Sequence, residues 1–419
     1  MIQKKTLKNN LKVLFQNSPG SLSVSVGLWV KIGSRHENDE ERGYTHFLEH
    51  MLFKGTEKRS SKMIASEIER VGGFMNAATS REYTYFYITV MKSEVELAID
   101  LLSDMVTQPL LSENDIKNES GVVLEEMKGY EDDPEEFLHD FYYKNLMPNS
   151  SLGLDIIGNK KSISAINSEK IKKFYNKYYN PNNMILSISG DFEANQIFDF
   201  SEKYLGNFNR ESTIIPKDPI VPKNLNKFYE KRKLEQVNFV IGTDGITKDL
   251  NQSISMSLFN TIFGNSMSSR LFQKIREDMG LCYSINSFSS SYTDCGIFSI
   301  SCGTSKKNFE TSIESILEEI RIILQNGVTE NELKDAKSNQ KGSMSISYEQ
   351  PDNKMTDISI QEIYYNTYYS LEERMKMIDK ITIIDINNLI NYLFSKKVFH
   401  ISAIGDIKEK SYNKIKNTI

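Results

Sequence analysis

Cysteine is scarce in this chain of 419 residues: it has three, all in the second half of the sequence, at Cys282, Cys295 and Cys302. None of them belongs to a CxxC pair, so the sequence favours core thiols in a reducing compartment over a disulfide or a cysteine-ligated metal. We therefore expect a cytoplasmic protein, with an exported protein whose signal has been removed as the alternative.

Long apolar runs and an excess of positive charge are missing as well. No run reaches the roughly 18 apolar residues of a membrane helix. The N-terminal segment MIQKKTLKNNLKVLFQN has neither the apolar core of an export signal nor the Arg-rich pattern of an organelle import signal. The formal net charge of −5 argues against a nucleic-acid partner, which usually requires a basic surface. The sequence thus predicts a globular protein that binds neither membrane nor nucleic acid.

One pattern of helices and strands is written twice along the chain. A helix followed by a short apolar strand ending in Gly-Asp occupies 162–192 and again 381–407. Two further pairs of segments match in the same order: 111–120 with 328–337, and 68–77 with 275–284. The constant order indicates a duplication, with chance similarity of helix–strand patterns as the alternative.

Each copy mixes two kinds of hydrophobic pattern. SLSVSVGLWVKI and YTYFYITV alternate apolar and polar residues, as strands of a sheet covered on one side do, whereas SSKMIASEIERVGG has the spacing of an amphipathic helix. The fold class expected is α+β, with two similar domains that each pack helices on a sheet. We place the domains at 1–209 and 229–419, joined by a Pro-bearing linker at 210–228.

Histidine is also rare, yet two of the five lie four positions apart in GYTHFLEHMLFKGT, residues 43–56. The pattern predicts a short helix, so His46 and His50 share a face and can bind one metal ion, with Glu49 at its edge. A zinc ion on neutral imidazoles lowers the pKa of its water toward about 7, and a nearby carboxylate can take the proton. A lone histidine is more often structural, but a chance HxxEH is expected in about one chain in a hundred of this size.

A third metal ligand is sought in NDIKNESGVVLEEMKGYEDDPEE, residues 114–136. Glu119 and Glu126 are seven residues apart, about two helical turns, so they point the same way. Such a carboxylate would complete a His₂Glu site with one open position, as catalytic zinc sites have. Spacing favours Glu126 over Glu125 without excluding Glu125.

With these residues in place, the chain resembles the pitrilysin/insulinase family of zinc peptidases with an inverted HxxEH motif. It is similar to the short two-domain bacterial members and to the β subunit of the mitochondrial processing peptidase. In that family the glutamate ligand follows the motif by some 75 residues, and 75 residues separate His50 from Glu126 here. The resemblance implies one Zn²⁺ per chain on His46, His50 and Glu126, Glu49 as general base, and Glu119 as a supporting carboxylate.

Two further signatures of the family have counterparts in this sequence. SSRLFQKIREDMGLCYSI, residues 268–285, is similar to the Arg–Tyr element, matched by Arg276 and Tyr283, which reaches the substrate and can stabilise oxyanion charge. GGFMNAATSREYTYFYITV, residues 72–90, matches the family's substrate-pairing strand, with Asn76 and Ala77 at the matching positions. A surface ion pair for Arg276 and core packing for Tyr283 are the structural alternatives.

The second copy lacks the metal residues. Aligning the two copies pairs the metal residues of the first with positions that cannot replace them: His46 with Met256, Glu49 with Phe259, His50 with Asn260, and Glu126 with Ser343. The resemblance therefore implies an endopeptidase that traps peptides or unfolded segments between a catalytic domain and a degenerate one. It also implies a homodimer, or a heterodimer with a metal-free relative.

Two other functions compete with this prediction. One is a structural subunit, such as the peptidase-derived core proteins of respiratory complexes, although a structural role needs none of the metal residues. The other is a metal-dependent hydrolase of a non-peptide substrate, which the Arg–Tyr element and the candidate edge strand make less attractive.

Overall fold

The computed structural model describes residues 2–213, 215, 224, 226–408 and 411–412. The predicted linker, 210–228, therefore lies partly outside the described residues. Contacts divide the chain into two compact units. The first comprises Met1–Gly129, Ser150–Pro219 and Ile346–Ser370, and the second comprises Tyr130–Asn149, Ile220–Ser345 and Leu371–Ile419.

The first unit is built on a mixed six-stranded sheet with the order β1-β2-β6-β3-β5-β4. Its strands are β1 Ile2–Thr6, β2 Lys12–Asn17, β3 Ser23–Val30, β4 Phe74–Thr79, β5 Thr84–Met91 and β6 Met184–Gly190. Only β2 and β6 run parallel; the other neighbours are antiparallel. The strands predicted from SLSVSVGLWVKI and YTYFYITV are confirmed as β3 and β5.

The chain from β1 to β6 and just beyond also supplies eight α-helices, besides short 3-10 turns. They are α1 Tyr44–Met51, α2 Ser61–Arg70, α3 Val95–Thr107, α4 Glu113–Asp132, α5 Pro134–Leu146, α6 Lys160–Ser164, α7 Ser168–Tyr178 and α8 Ala194–Leu205. Helix α2 shows how the sequence sets an element: the Ser60 side chain accepts from the Met63 amide at its start, and Ile64 and Ile68 are buried on one face.

The second unit is built on a five-stranded sheet with the order β7-β11-β8-β10-β9. Its strands are β7 Lys227–Lys231, β8 Gln236–Asp244, β9 Cys282–Ser291, β10 Gly296–Ser305 and β11 His400–Gly405. The remaining helices are α9 Leu250–Phe263, α10 Phe309–Asn326, α11 Glu330–Ser347, α12 Pro351–Tyr364, α13 Leu371–Lys380 and α14 Ile383–Phe394, with a π-helical segment at Phe272–Asp278. The α+β fold class is confirmed.

The two sheets repeat one topology. Reading across each sheet, β2, β6, β3, β5 and β4 correspond in order and direction to β7, β11, β8, β10 and β9, and β1 is extra. The repeat extends to backbone conformation, because Gly190 and Gly405 end the corresponding strands β6 and β11 with φ of 145° and 146°. That conformation is open to glycine and rare for other residues, which explains the Gly-Asp ending in both copies.

Each half of the sequence contributes one helix to the compact unit that is formed mainly by the other half. Helix α12, from the C-terminal half, packs on β2, β3 and β6 of the first sheet, and α5, from the N-terminal half, packs on β8 and β11 of the second. The compact units therefore differ from the contiguous ranges expected, 1–209 and 229–419. Both helices begin with a proline at the first turn, Pro134 and Pro351, where its missing amide costs nothing.

Helix α12 covers a second face of the first sheet, so the expectation that the sheet is covered on one side only is wrong. Seven of the eight residues of β3 are buried, and Trp29 is completely enclosed, with its Nε1 3.4 Å from the Met355 sulfur. Leu14, Ile185 and Ile358 complete this second, smaller core. The main core of the unit lies on the opposite face, under α1, α3 and α7. None of the described helices has the length and apolarity to cross a membrane.

Candidate metal centre

Helix α1 carries the histidine pair and starts at a glycine that the backbone requires. Gly43, the residue before the helix, has φ of 84°, and a Cβ there would lie 2.5 Å from the Ile157 carbonyl oxygen. Phe47, Leu48 and Met51 face the core and are buried. His46, Glu49 and His50 therefore lie on the opposite side of the helix.

His46, His50 and Glu126 come together at this face. Their ligand atoms all lie within 4.8 Å of one another, and no second such group of His, Cys, Asp or Glu occurs in the described part of the chain. Glu126, on α4, reaches both imidazoles: its two carboxylate oxygens are each 3.8 Å from an Nε2, one of His46 and one of His50. The two imidazole rings lie 4.6 Å apart between centroids.

These separations suit one zinc ion. Bonds of about 2.0–2.2 Å in a tetrahedral arrangement place neighbouring ligand atoms roughly 3.4 Å apart, close to the 3.8 Å between Glu126 and each imidazole. Two nitrogens and one carboxylate oxygen are the donor set of catalytic zinc sites with an open fourth position. Glu125 takes no part, because its side chain is 73% exposed and lies 2.6 Å from the Lys128 ammonium.

Glu119 orients His50 from behind. His50 Nδ1–H donates to the Glu119 carboxylate at 2.9 Å, which leaves Nε2 facing Glu126. That hydrogen bond raises the pKa of His50, although burial acts in the opposite direction. Burial would raise the pKa of Glu119, but hydrogen bonds from His50 and from the Lys54 ammonium outweigh it and keep the pKa below its ordinary value.

His46 sits in a different environment on the same helix. Burial, with a smaller effect from His50, lowers the pKa of His46 to about 4. The imidazole is therefore neutral near pH 7, the form that binds a metal. Its buried Nδ1 has no hydrogen-bond partner among the described residues, so no side chain orients this ring as Glu119 orients His50.

Glu49 lies beside the metal ligands and is held by Thr79. The Thr79 hydroxyl donates a hydrogen bond to the Glu49 carboxylate. Burial raises the pKa of Glu49, while the Thr79 hydrogen bond and the nearby His50 oppose the shift. A carboxylate with a raised pKa close to a metal is suited to accept a proton and then return it.

The strand that bears Asn76 and Ala77 is at the edge of the first sheet. In the described part of the chain, β4 pairs with β5 alone, Asn76 opposite Tyr87 and Ala77 opposite Phe86. No described strand pairs with the other edge of β4. Thr79, at the end of the same strand, places that edge next to Glu49.

Arg276 and Tyr283 lie together in the second unit. Arg276 belongs to the π-helical segment Phe272–Asp278 and Tyr283 to β9, with the guanidinium carbon 5.8 Å from the Tyr283 ring centroid. Tyr283 is 75% exposed, so the core packing considered as its structural alternative does not occur. The Arg276 guanidinium carbon also lies 4.6 Å from the Phe272 ring centroid, and the ion pair of Arg276 with the neighbouring Glu277 is long, at 3.9 Å.

Two residues around the metal centre of the first unit, Lys54 and Thr79, were not predicted from the sequence. Lys54 lies four residues after His50, just beyond the end of α1 at Met51, and Thr79 lies two residues after Ala77, on the same face of β4. Both spacings were available in the sequence. Neither residue type is itself a signal for a metal site, so spacing alone could not single them out.

The corresponding helix of the second unit, α9, has no such centre. Met256 and Phe259 are buried in its core, and Asn260 accepts a hydrogen bond from the Ser287 hydroxyl at 2.5 Å. Apolar packing has taken the place of metal-binding side chains on this helix.

Comparison with known proteins gives matches over nearly the whole chain. Residues 12–160 match the family model described as insulinase (peptidase family M16), and residues 165–340 match the model of the peptidase M16 inactive domain. An uncharacterized zinc protease of Bacillus subtilis, YmxG, is 34% identical and covers 94% of this chain and 96% of its own length.

Solved structures share the fold at lower identity. A protease from Helicobacter pylori superposes with a TM-score of 0.89 at 20% identity, covering 97% of this chain and 99% of its own. A Pseudomonas fluorescens structure described as a peptidase M16 inactive domain gives a TM-score of 0.91 at 19% identity, covering 97% and 98%.

Proposed function

The chain belongs to the insulinase family of peptidases, M16, as a short two-domain member, and on that premise we propose that it is a zinc-dependent endopeptidase. The proposal depends on one observation above the others. Two imidazoles from one helix and a carboxylate from another converge, with a second carboxylate, Glu49, directly beside them.

His46, His50 and Glu126 would hold the zinc ion. A bound zinc would supply a Lewis acid that lowers the pKa of a water molecule toward about 7 and polarises a peptide carbonyl. Glu119 supports the site by fixing the tautomer of His50, with Nδ1 protonated and Nε2 free. Burial keeps His46 neutral, so it need not lose a proton to act as a ligand near pH 7.

Glu49 would serve as the general base and then as the general acid. Its carboxylate would take a proton from the attacking water and return it to the leaving amine of the peptide. The Thr79 hydroxyl holds one carboxylate oxygen in place during both transfers. Because its pKa is raised, Glu49 would accept a proton more readily than an exposed carboxylate.

The substrate would be an extended peptide. Its main chain would pair with β4 at Asn76 and Ala77, which brings a peptide bond toward Glu49 at the end of that strand. Arg276 and Tyr283 would bind the peptide and stabilise charge on the carbonyl oxygen, the role that the family resemblance gives them. Their proximity to each other is the support from this chain.

Two parts of the proposal rest on family resemblance alone. One is that the peptide is enclosed in a chamber between the two homologous domains. Cleavage of a short peptide, with no cleavage of a folded protein containing the same sequence, would support it. The other is that two chains form a homodimer, which light scattering after size-exclusion chromatography would test.

The central experiment compares Glu49→Gln with Glu57→Gln, a matched loss of charge at an exposed position near the same helix. We expect wild type to contain one zinc per chain and to cleave a fluorogenic peptide in a chelator-sensitive way. Glu49→Gln should keep its zinc but lose about 10²–10⁴-fold in kcat, and Glu57→Gln should match wild type. Zinc-loaded Glu49→Gln with wild-type turnover would refute the role of Glu49. A wild type without zinc would refute the metallopeptidase itself.

A further inference from the structure

The start of helix α1 is held by a residue outside the metal centre, Glu37. Glu37 is 6% exposed, and its carboxyl group accepts two backbone hydrogen bonds, from the Gly43 amide at 2.8 Å and from the Thr45 amide at 2.7 Å. The first amides of a helix have no partner inside the helix. Gly43 has no side chain to supply one, so Glu37 caps α1 from a distant part of the loop.

The short segment that precedes Glu37, Ser34 and Arg35, is attached to the turn between β4 and β5. The amides of Ser34 and Arg35 donate to the carbonyls of Ser80 and Arg81, at 3.2 and 3.0 Å. The Arg35 guanidinium forms a buried ion pair with Glu82 at 2.6 Å. These contacts connect the segment that carries Glu37 to the sheet, so the cap has a rigid base rather than a mobile loop beneath it.

The metal ligand that depends most on this cap is His46. It follows Thr45 directly, and its buried Nδ1 has no hydrogen-bond partner among the described residues. His50, one turn later, has its ring fixed by Glu119. The position of the His46 ring therefore depends on the backbone of the first turn of α1, which is the part that Glu37 holds.

We propose that Glu37 is a positioning residue for zinc binding, which acts by fixing the first turn of α1 and with it the imidazole of His46. The proposal rests on the proposed function, because it gives Glu37 a role toward the same ion. Glu37 would act on His46 indirectly, through the backbone of the first turn, whereas Glu119 acts on the His50 ring directly.

The expected effect is local and measurable. Metal sites lose about 10–100-fold in affinity when a group that orients a ligand is removed. Glu37→Ala removes both acceptors and should approach the upper end of that range. Glu37→Gln keeps the size of the side chain and one acceptor oxygen, so its loss should be smaller.

The experiment uses the full chain and compares Glu37→Ala and Glu37→Gln with Glu40→Gln, an exposed glutamate in the same loop. Zinc affinity is measured by competition with a chromogenic chelator. Amide hydrogen exchange of residues 43–48 is measured in the metal-free protein, and the visible spectrum of the Co²⁺-substituted protein reports ligand geometry. We expect weaker zinc binding, faster exchange confined to the first turn of α1 and an altered cobalt spectrum in both Glu37 variants, and wild-type behaviour in Glu40→Gln.

Several outcomes separate this proposal from its alternatives. A folded Glu37→Gln variant that loses stability but binds zinc as tightly as wild type would overturn it, since Glu37 would then be structural only. Unchanged exchange at residues 43–48 in both Glu37 variants would overturn it as well. A wild type that binds no zinc would instead refute the proposed function, and hydrogen exchange would still show whether Glu37 holds the helix. If Glu37→Ala does not fold, Glu37→Gln decides the question.

Discussion

Replacing Glu119 by glutamine tests how the centre prepares His50 for a metal. In wild type the buried Glu119 carboxylate accepts the Nδ1 proton of His50 at 2.9 Å and also pairs with the Lys54 ammonium. A hydrogen bond to a charged acceptor is worth about 1.5–3 kcal/mol. The bond is present with and without zinc, so only part of this energy bears on zinc affinity. Loss of a carboxylate that orients a metal-bound histidine costs about 10–100-fold in affinity, which is about 1.4–2.8 kcal/mol, and we expect that loss in Glu119→Gln.

Protonation of His50 competes with zinc binding and determines the pH at which the assay is run. The hydrogen bond to Glu119 raises the pKa of His50, so near neutral pH a proton competes with zinc for this imidazole. Removing Glu119 lowers that pKa and relieves the competition, which would hide part of the loss. Measurement at about pH 8, above the ordinary histidine pKa of roughly 6.5, reduces this contribution.

The assay is chelator competition on wild type, Glu119→Gln and Glu125→Gln. Glu125 is on the same helix, next to the ligand Glu126, and its side chain is 73% exposed, so it controls for the loss of one negative charge near the site. Exposed charges contribute little, and Glu125→Gln should bind zinc within about threefold of wild type. Equal affinity in the two variants would refute the reasoning that the contact of Glu119 with His50 supports the metal.

Two other predictions test the base and the fold. Thr79→Val keeps the shape but removes the hydrogen bond to Glu49, so kcat should fall by about tenfold with zinc content unchanged; unaltered kcat would contradict the positioning role. Burial lowers the pKa of His400 to about 4, so the stability it contributes is present above about 6.5 and is lost as pH falls toward 4. From pH 7 to 5 the free energy of unfolding should fall by about 2 kcal/mol because of His400. Urea unfolding of His400→Gln should show a pH dependence that is weaker by that amount, and an equal pH dependence in wild type and variant would contradict the prediction.

The degenerate half of the chain shows what a duplicated fold keeps without its metal. The second sheet retains five strands in the same order, and the glycine that ends β6 recurs at the end of β11 with the same φ. Helix α9, which corresponds to α1, has buried apolar side chains at the positions of the metal residues His46 and Glu49. The two copies therefore share their strand order and this glycine conformation, whereas only the first has metal-binding side chains on the helix.

Features that depend on short-range periodicity could be predicted from the sequence. The HxxEH spacing placed His46, Glu49 and His50 on one helical face, and the seven-residue interval on α4 put Glu119 and Glu126 on another. Alternation of apolar residues located β3 and β5. Each of these follows from the geometry of a single helix or strand, which is set by residues close together in the chain.

Contacts between residues far apart in the chain could not be predicted in this way. Thr79 reaches Glu49 across 30 residues of sequence, and Glu119 reaches His50 across 69. The second cover of the first sheet by α12 likewise has no local signal. Such contacts form because apolar faces pack together and buried polar groups must then find partners, and those requirements are met in three dimensions rather than along the chain.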